Sequence, residues 1–244
     1  MASGIFVTGT DTGVGKTFVT CSLAALLRGL GYRIGVMKPV ETGCVQRDGK
    51  LFPEDAARLK KASGSDEALE KICPYRFAEP LAPSIAAERA GFSVDIDRIL
   101  AVYDESSSKN DVTLVEGAGG LMVPLLPSFT YADFARVAKL PIIVVAANRL
   151  GAINHLLLTL EHALCKELSV LGYVLNCPTD QSSLATETNR EVLLNLTGVP
   201  CLAELPFIAT GDTEGIFPME QFKEEFALSV IEPILFAGKD KKNR

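Results

Sequence analysis

"GTDTGVGKT", residues 9–17, stands one residue out of step with the usual phosphate-binding loop. The pattern G-x-x-x-x-G-K-[ST], counted back from Gly15, Lys16 and Thr17, wants its first glycine at position 10; Thr10 is there, and Gly9 comes one place early. The flanks decide between a phosphate loop and a chance glycine-rich turn. "GIFVT" (4–8) is an apolar run suited to a buried strand, and "KTFVTCSLAALLRGLG" (16–31) repeats Val19, Leu23, Leu26, Leu27 and Leu30 near helical spacing until Gly31 stops it. Strand, loop and helix thus follow in the order a phosphate cradle requires. Backbone N–H groups of residues 13–17 would face phosphate oxygens, Lys16 would neutralise charge, and the Thr17 hydroxyl would ligate Mg2+.

Outward from this loop, "RIGVMK" (33–38), "VTLVE" (112–116), "PIIVVAA" (141–147), "VLGYVLN" (170–176) and "CLAEL" (201–205) read as further strands. Several are apolar at consecutive rather than alternate positions, which suits strands covered on both faces. Helical patterns fill the gaps at 16–30, 54–62, 95–106, 131–138, 152–167 and 183–196. The fold class predicted is α/β: a single-domain P-loop NTPase fold with a mostly parallel central sheet and helices on both faces. One domain spans 1–237, followed by a basic flexible tail, "GKDKKNR", at 238–244. The less regular stretch 39–94 is a long crossover in which substrate specificity could reside.

A length of 244 residues fits one well-buried α/β domain. The net charge of −6 argues against a broad nucleic-acid face, so any anion site must be local. The six cysteines form no C-x-x-C pair, which leaves a zinc site or disulfide framework without support and fits reduced thiols. No segment approaches the roughly 18 apolar residues of a membrane span, and the start lacks a signal-peptide pattern, so the chain reads as cytoplasmic with no membrane partner.

Three further residues bear on chemistry. Glu116 ends an apolar strand where an acid can hold Mg2+ beside a phosphate loop; alone it would pass for a solvated loop residue. Lys38 ends the second strand, and because consecutive strands usually lie close together its ammonium is predicted to face the crevice of Lys16; a plain solubilising charge is the alternative. Asp55, in "FPEDAARL" (52–59), is either a first-turn acid favoured by the helix dipole or a second metal ligand.

Taken together, "FVTGTDTGVGKT" (6–17), "GVMKPVETG" (35–43), "FPEDAARL", "YRFAEPLAPS" (75–84), "LVEGAGGLMVPL" (114–125), "RLGAINHLLLT" (149–159) and "ELPF" (204–207) closely resemble the dethiobiotin synthetases. The resemblance runs in register from about residue 4 to 207 and fades in "IATGDTEGIFPMEQF" (208–222). It implies closure of a ureido ring on 7,8-diaminopelargonic acid with CO2, ATP and Mg2+, by way of a carbamate and its mixed anhydride with phosphate. Carried over by motif, Gly13, Val14, Gly15, Lys16, Thr17 and Phe18 hold the ATP phosphates, and Thr17, Asp55 and Glu116 hold the metal. Lys38 is the family's active-site lysine, assisted by Lys16 and Thr12. Thr42 contacts substrate, and Gly117, Ala118 and Gly119 lie against nucleotide and diamine. Asn176 reads adenine with the turn Leu205, Pro206 and Phe207. The substrate carboxylate reaches the partner subunit of a homodimer near Gly151, Ala152, Ile153 and Asn154, although these residues also fit a plain helix start.

Two departures stand out: Cys177 follows the adenine-reading Asn, and the ribose-contacting acid is either Asp212 or Glu214. The main alternative is a dimeric partitioning-type switch ATPase without ligase activity. Those loops carry a signature lysine five residues before the loop lysine, where this chain has Asp11. A non-catalytic nucleotide module is disfavoured by Lys16, Lys38 and both candidate metal acids. An amidating synthetase of the cobyrinic-acid type would need an attached glutaminase domain, for which the chain has no room.

Overall fold

In the first strand, β1 (Gly4–Gly9), every residue is buried, with Ile5 and Val7 in one apolar cluster and Phe6 in another. A strand alternates its side chains, so an unbroken apolar run implies cover on both faces. The computed structural model, which describes residues 4–209, 216 and 218–235, has that arrangement. Five more strands join β1: β2 (Ile34–Met37), β3 (Val112–Gly120), β4 (Ile142–Ala147), β5 (Val170–Asn176) and β6 (Cys201–Leu205). Their order is β6-β5-β4-β1-β3-β2, with every pairing parallel. Antiparallel pairing among the described residues is confined to two small hairpins, Val45–Arg47 with Lys50–Phe52 and Pro124–Leu126 with Phe129–Thr130.

One face is covered by α1 (Lys16–Gly29), α2 (Glu54–Ser63) and the late helix Met219–Glu225, through residues such as Leu23, Leu27, Leu59 and Phe222. The other is covered by helices Ile96–Lys109, Tyr131–Val137 and Ala152–Cys165, through Tyr103, Phe134 and Leu160. Each such buried leucine or aromatic contributes about 1.5–3 kcal/mol. The six predicted strands and six predicted helices are all present, with ends shifted by up to four residues. Among them, β3 runs to Gly120 rather than stopping at Glu116, and the fifth-strand-to-sixth crossover helix is Leu184–Leu196.

Two expectations need correction. β1 and β2 are not neighbours, since β3 lies between them. Lys38 nonetheless reaches the phosphate loop's surroundings, because β3 brings Glu116 opposite Val7 and Lys38 bonds to it. The strand read as 112–116 is also longer than predicted: the run 117–120 extends β3 past a register shift opposite β1. A Cβ on Gly117 would lie 2.8 Å from the Phe6 ring, so glycine there permits close strand packing rather than flexibility. The irregular stretch 39–94 carries more structure than its sequence announces, including a parallel pair Val40–Thr42 with Tyr75–Phe77 and short helices Leu69–Ile72 and Pro83–Arg89. Asp212, Glu214 and the tail 238–244 lie outside the described residues.

Candidate active site

The N-terminus of α1 is built to receive an anion. Gly15, at φ 93, is its cap and makes no side-chain cap bond, and the first turn carries no acid, so neither the cap nor an acidic residue of that turn competes with an anion for the leading N–H groups. A Cβ on Gly15 would lie 2.1 Å from Asn176 Nδ2, which donates to the Val14 carbonyl at 2.9 Å. Position 15 therefore requires glycine for two reasons, its backbone angle and the Asn176 side chain against it.

Beside this turn lies a cavity of about 570 Å³. Thr12, Gly13, Gly15, Lys16, Thr17 and Phe18 line one side, Lys38, Thr42 and Asp55 another, and Ala118 and Gly119 a third. Glu116, fully buried behind the lining residues Thr17 and Lys38, ties these segments together. Its Oε1 accepts from Lys38 Nζ at 2.5 Å and from Thr17 Oγ1 at 2.8 Å. Lys38 also donates to the Gly117 carbonyl at 3.2 Å and forms an ion pair with Asp55 Oδ2 at 3.1 Å. Glu116 Oε2 accepts no hydrogen bond among the described residues. A buried carboxylate oxygen with no donor, beside a hydroxyl and a second carboxylate, is an oxygen set that fits a hard divalent cation.

The two lysines differ electrostatically. For Lys38, burial opposes the charge, but the Glu116 and Asp55 carboxylates outweigh it and hold the ammonium well above its ordinary range. For Lys16, burial and then the Lys38 charge bring it down to about 8, while its Nζ donates to the Asp11 carbonyl at 2.9 Å. Burial alone would raise Asp55; Lys38 beside it reverses that and holds its carboxyl below the usual value.

Several sequence-predicted residues lie away from this cavity's lining. Val14 is buried behind the loop. Asn176, Leu205, Pro206 and Phe207 sit at the carboxyl ends of β5 and β6, with Asn176 touching the far side of the phosphate loop. Gly151, at φ 92, caps the helix that Ala152, Ile153 and Asn154 begin, next to the exposed Leu150. Residues not foreseen also line the cavity: Glu41, Arg58, the segment Pro80 to Pro83, and Val123. The segment at 80–83 was visible as "FAEPLAPS", but no spacing rule says that a proline-rich turn will wall a site.

A family model for an AAA domain matches residues 3–214. An ATP-dependent dethiobiotin synthetase of Thermodesulfovibrio yellowstonii is 40% identical over 216 residues, covering 85% of this chain and 90% of the relative. Another, of Bacillus cereus, is 41% identical over 234 residues, covering 96% and 95%. The chain belongs to the dethiobiotin synthetase family. Among solved structures, the septum site-determining protein MinD of Pyrococcus horikoshii OT3, complexed with Mg-ADP, superposes with a TM-score of 0.50 at 19% identity, covering 95% of this chain and 94% of that one. That likeness concerns the fold alone. The P-loop α/β architecture read from the sequence is borne out. No helix among the described residues is long and apolar enough to cross a membrane.

Proposed function

We propose that this chain, as one P-loop domain, is a cytoplasmic ATP-dependent dethiobiotin synthetase. It joins CO2 to 7,8-diaminopelargonic acid and closes the ureido ring, releasing ADP and phosphate. The observation that carries the reading is the pair Lys16 and Lys38 in one cavity, beside an uncapped helix N-terminus. One amine of the substrate attacks CO2 and becomes a carbamate. A carbamate oxygen attacks the γ-phosphorus of ATP, giving a mixed anhydride and ADP. The second amine then attacks the anhydride carbonyl and expels phosphate. Negative charge develops on oxygen in every step, so the work is anion stabilisation and alignment of reactants.

In this reading the N–H groups of residues 13–18 bind the phosphates, Lys16 faces the transferred phosphoryl group, and Lys38 and Thr12 face the carbamate. Thr17, Asp55 and Glu116 would hold Mg2+, which would supply charge neutralisation at the phosphates. Thr42 and residues 117–119 orient the diamine. Asn176 with Leu205, Pro206 and Phe207 reads the base. The substrate carboxylate meets the helix start at Gly151, Ala152, Ile153 and Asn154 of a second copy in a homodimer.

The test is phosphate release measured with each component omitted in turn. Release is expected only when diamine, bicarbonate, ATP and Mg2+ are all present, and sustained release without diamine would contradict the ligase reading.

A pH dependence also follows. Burial and the Lys38 charge bring Lys16 down to about 8, and bound phosphates favour its charged form, so its pKa rises on binding. ADP affinity is expected to be nearly flat from about pH 7 to 8, above the second phosphate pKa of about 6, and to fall up to about tenfold per unit above pH 8, with proton uptake on binding. Calorimetry in two buffers of different ionisation enthalpy measures both; constant affinity from pH 7 to 9.5 would contradict the assignment.

A further inference from the structure

We infer that Glu41 is a positioning residue for Asp55: its carboxylate holds the first turn of α2 and thereby fixes where that turn aims the Asp55 side chain. Glu41 is 6% exposed, and its two oxygens accept the N–H groups of Asp55 and Ala56, each at 3.0 Å. Helix α2 begins after Pro53, which offers no side-chain cap, so a residue from another strand supplies it. That strand, Val40–Thr42, directly follows Lys38 and Pro39 and is itself held by pairing with Tyr75–Phe77. One five-residue segment therefore sends Lys38 to Glu116, Glu41 to the start of α2, and Thr42 to the cavity wall. Asp55 sits where these meet, 3.1 Å from Lys38. A first-turn residue cannot shift by a fraction of an ångström without moving its own N–H, and that N–H is what Glu41 grips. Both Glu41 oxygens are engaged by these donors, which favours positioning over direct binding of substrate.

The inference rests on the proposed role of Asp55 in holding Mg2+. Its test compares ADP affinity with and without Mg2+ by calorimetry for the wild type, Asp55→Ala, Glu41→Ala and Glu41→Gln, alongside thermal melts and steady-state kinetics. Residues that orient metal-holding groups typically matter by about 10–100-fold in metal affinity. Glu41→Ala is expected to lose about tenfold of the Mg2+-dependent gain in ADP affinity, with metal-free affinity unchanged, kcat lowered and KM for the diamine within about twofold. Glu41→Gln keeps one acceptor and is expected to fold and to fall between. An unchanged Mg2+ gain in both Glu41 variants, with only the melting temperature lowered, would reduce Glu41 to a structural cap and overturn the inference. A raised KM for the diamine with the Mg2+ gain intact would overturn it in favour of substrate contact. If Asp55→Ala itself leaves the gain intact, the underlying assignment of Asp55 fails, and that result is separable from the other two.

Discussion

Lys38→Ala is expected to lose at least about 100-fold in turnover, and also about 3–5 kcal/mol of stability. The second loss is legible only in the structure. Glu116 is fully buried, and Lys38, 3% exposed, is its cationic partner at 2.5 Å. Removing one partner of a buried pair leaves the other charge uncompensated, which costs far more than the pair itself contributes. Urea midpoints measure this loss. Mg2+ with ADP is expected to restore part of it, since Glu116 then has a cation again. ADP affinity is expected to stay within several-fold, because Lys16 and the N–H groups of the loop are untouched. Equal losses in ADP affinity and turnover would make Lys38 a nucleotide clamp rather than a stabiliser of the reacting carbamate.

Gly15→Ala is expected to weaken ADP binding by at least about 30-fold, equivalent to about 2 kcal/mol. At φ 93 an alanine is strained by about 1–2 kcal/mol. Its Cβ would also fall 2.1 Å from Asn176 Nδ2 and force that side chain off the Val14 carbonyl. The loop would then lose both its backbone shape and a buried hydrogen bond of about 1 kcal/mol. Because Asn176→Ala alone also removes the base contact assigned to it, the double variant is expected to lose less than the sum of the two single losses, as the clash disappears while the strain stays. Strictly additive losses in this double-mutant cycle would show that the two residues do not press on one another.

The sheet strands, the flanking helices and the phosphate loop were readable because each is a local pattern. Val19, Leu23, Leu26 and Leu27 mark one helix face within a dozen residues, and Gly15-Lys16-Thr17 carries its geometry in its backbone. What the sequence could not supply is which strands are neighbours. Lys38 was expected near Lys16 by adjacency of the first two strands, yet it arrives by way of β3 and Glu116. Glu41 lay in plain sight in "KPVETG" as an ordinary charged residue, because its partners, Asp55 and Ala56, are 14 and 15 positions further on. The open alternative for Asp55, dipole acid or metal ligand, takes a sharper form: it occupies the first turn of α2 and also touches Lys38. The glycines at 117 and 120 serve packing that no local pattern announces, since a Cβ there would press on the Phe6 ring and on the Gly9 carbonyl of the neighbouring strand.

Gly9, one place early, fits the same geometry. It lets Asp11 turn its carbonyl onto Lys16, and a Cβ there would lie 2.8 Å from Val14 Cγ2. The additional residue thus leaves Thr12 on the cavity wall beside Gly119. The account therefore stands or falls on where the two reactants meet. The measurement that addresses this most directly is a crystal structure with the diamine, bicarbonate and a non-hydrolysable ATP analogue bound together. The expected result is phosphates on the N–H groups of residues 13–18 and a carbamate oxygen at about 3 Å from Lys38 Nζ, on the Thr12 side of the cavity. A diamine bound elsewhere, with Lys38 still paired only to Glu116 and Asp55, would contradict it.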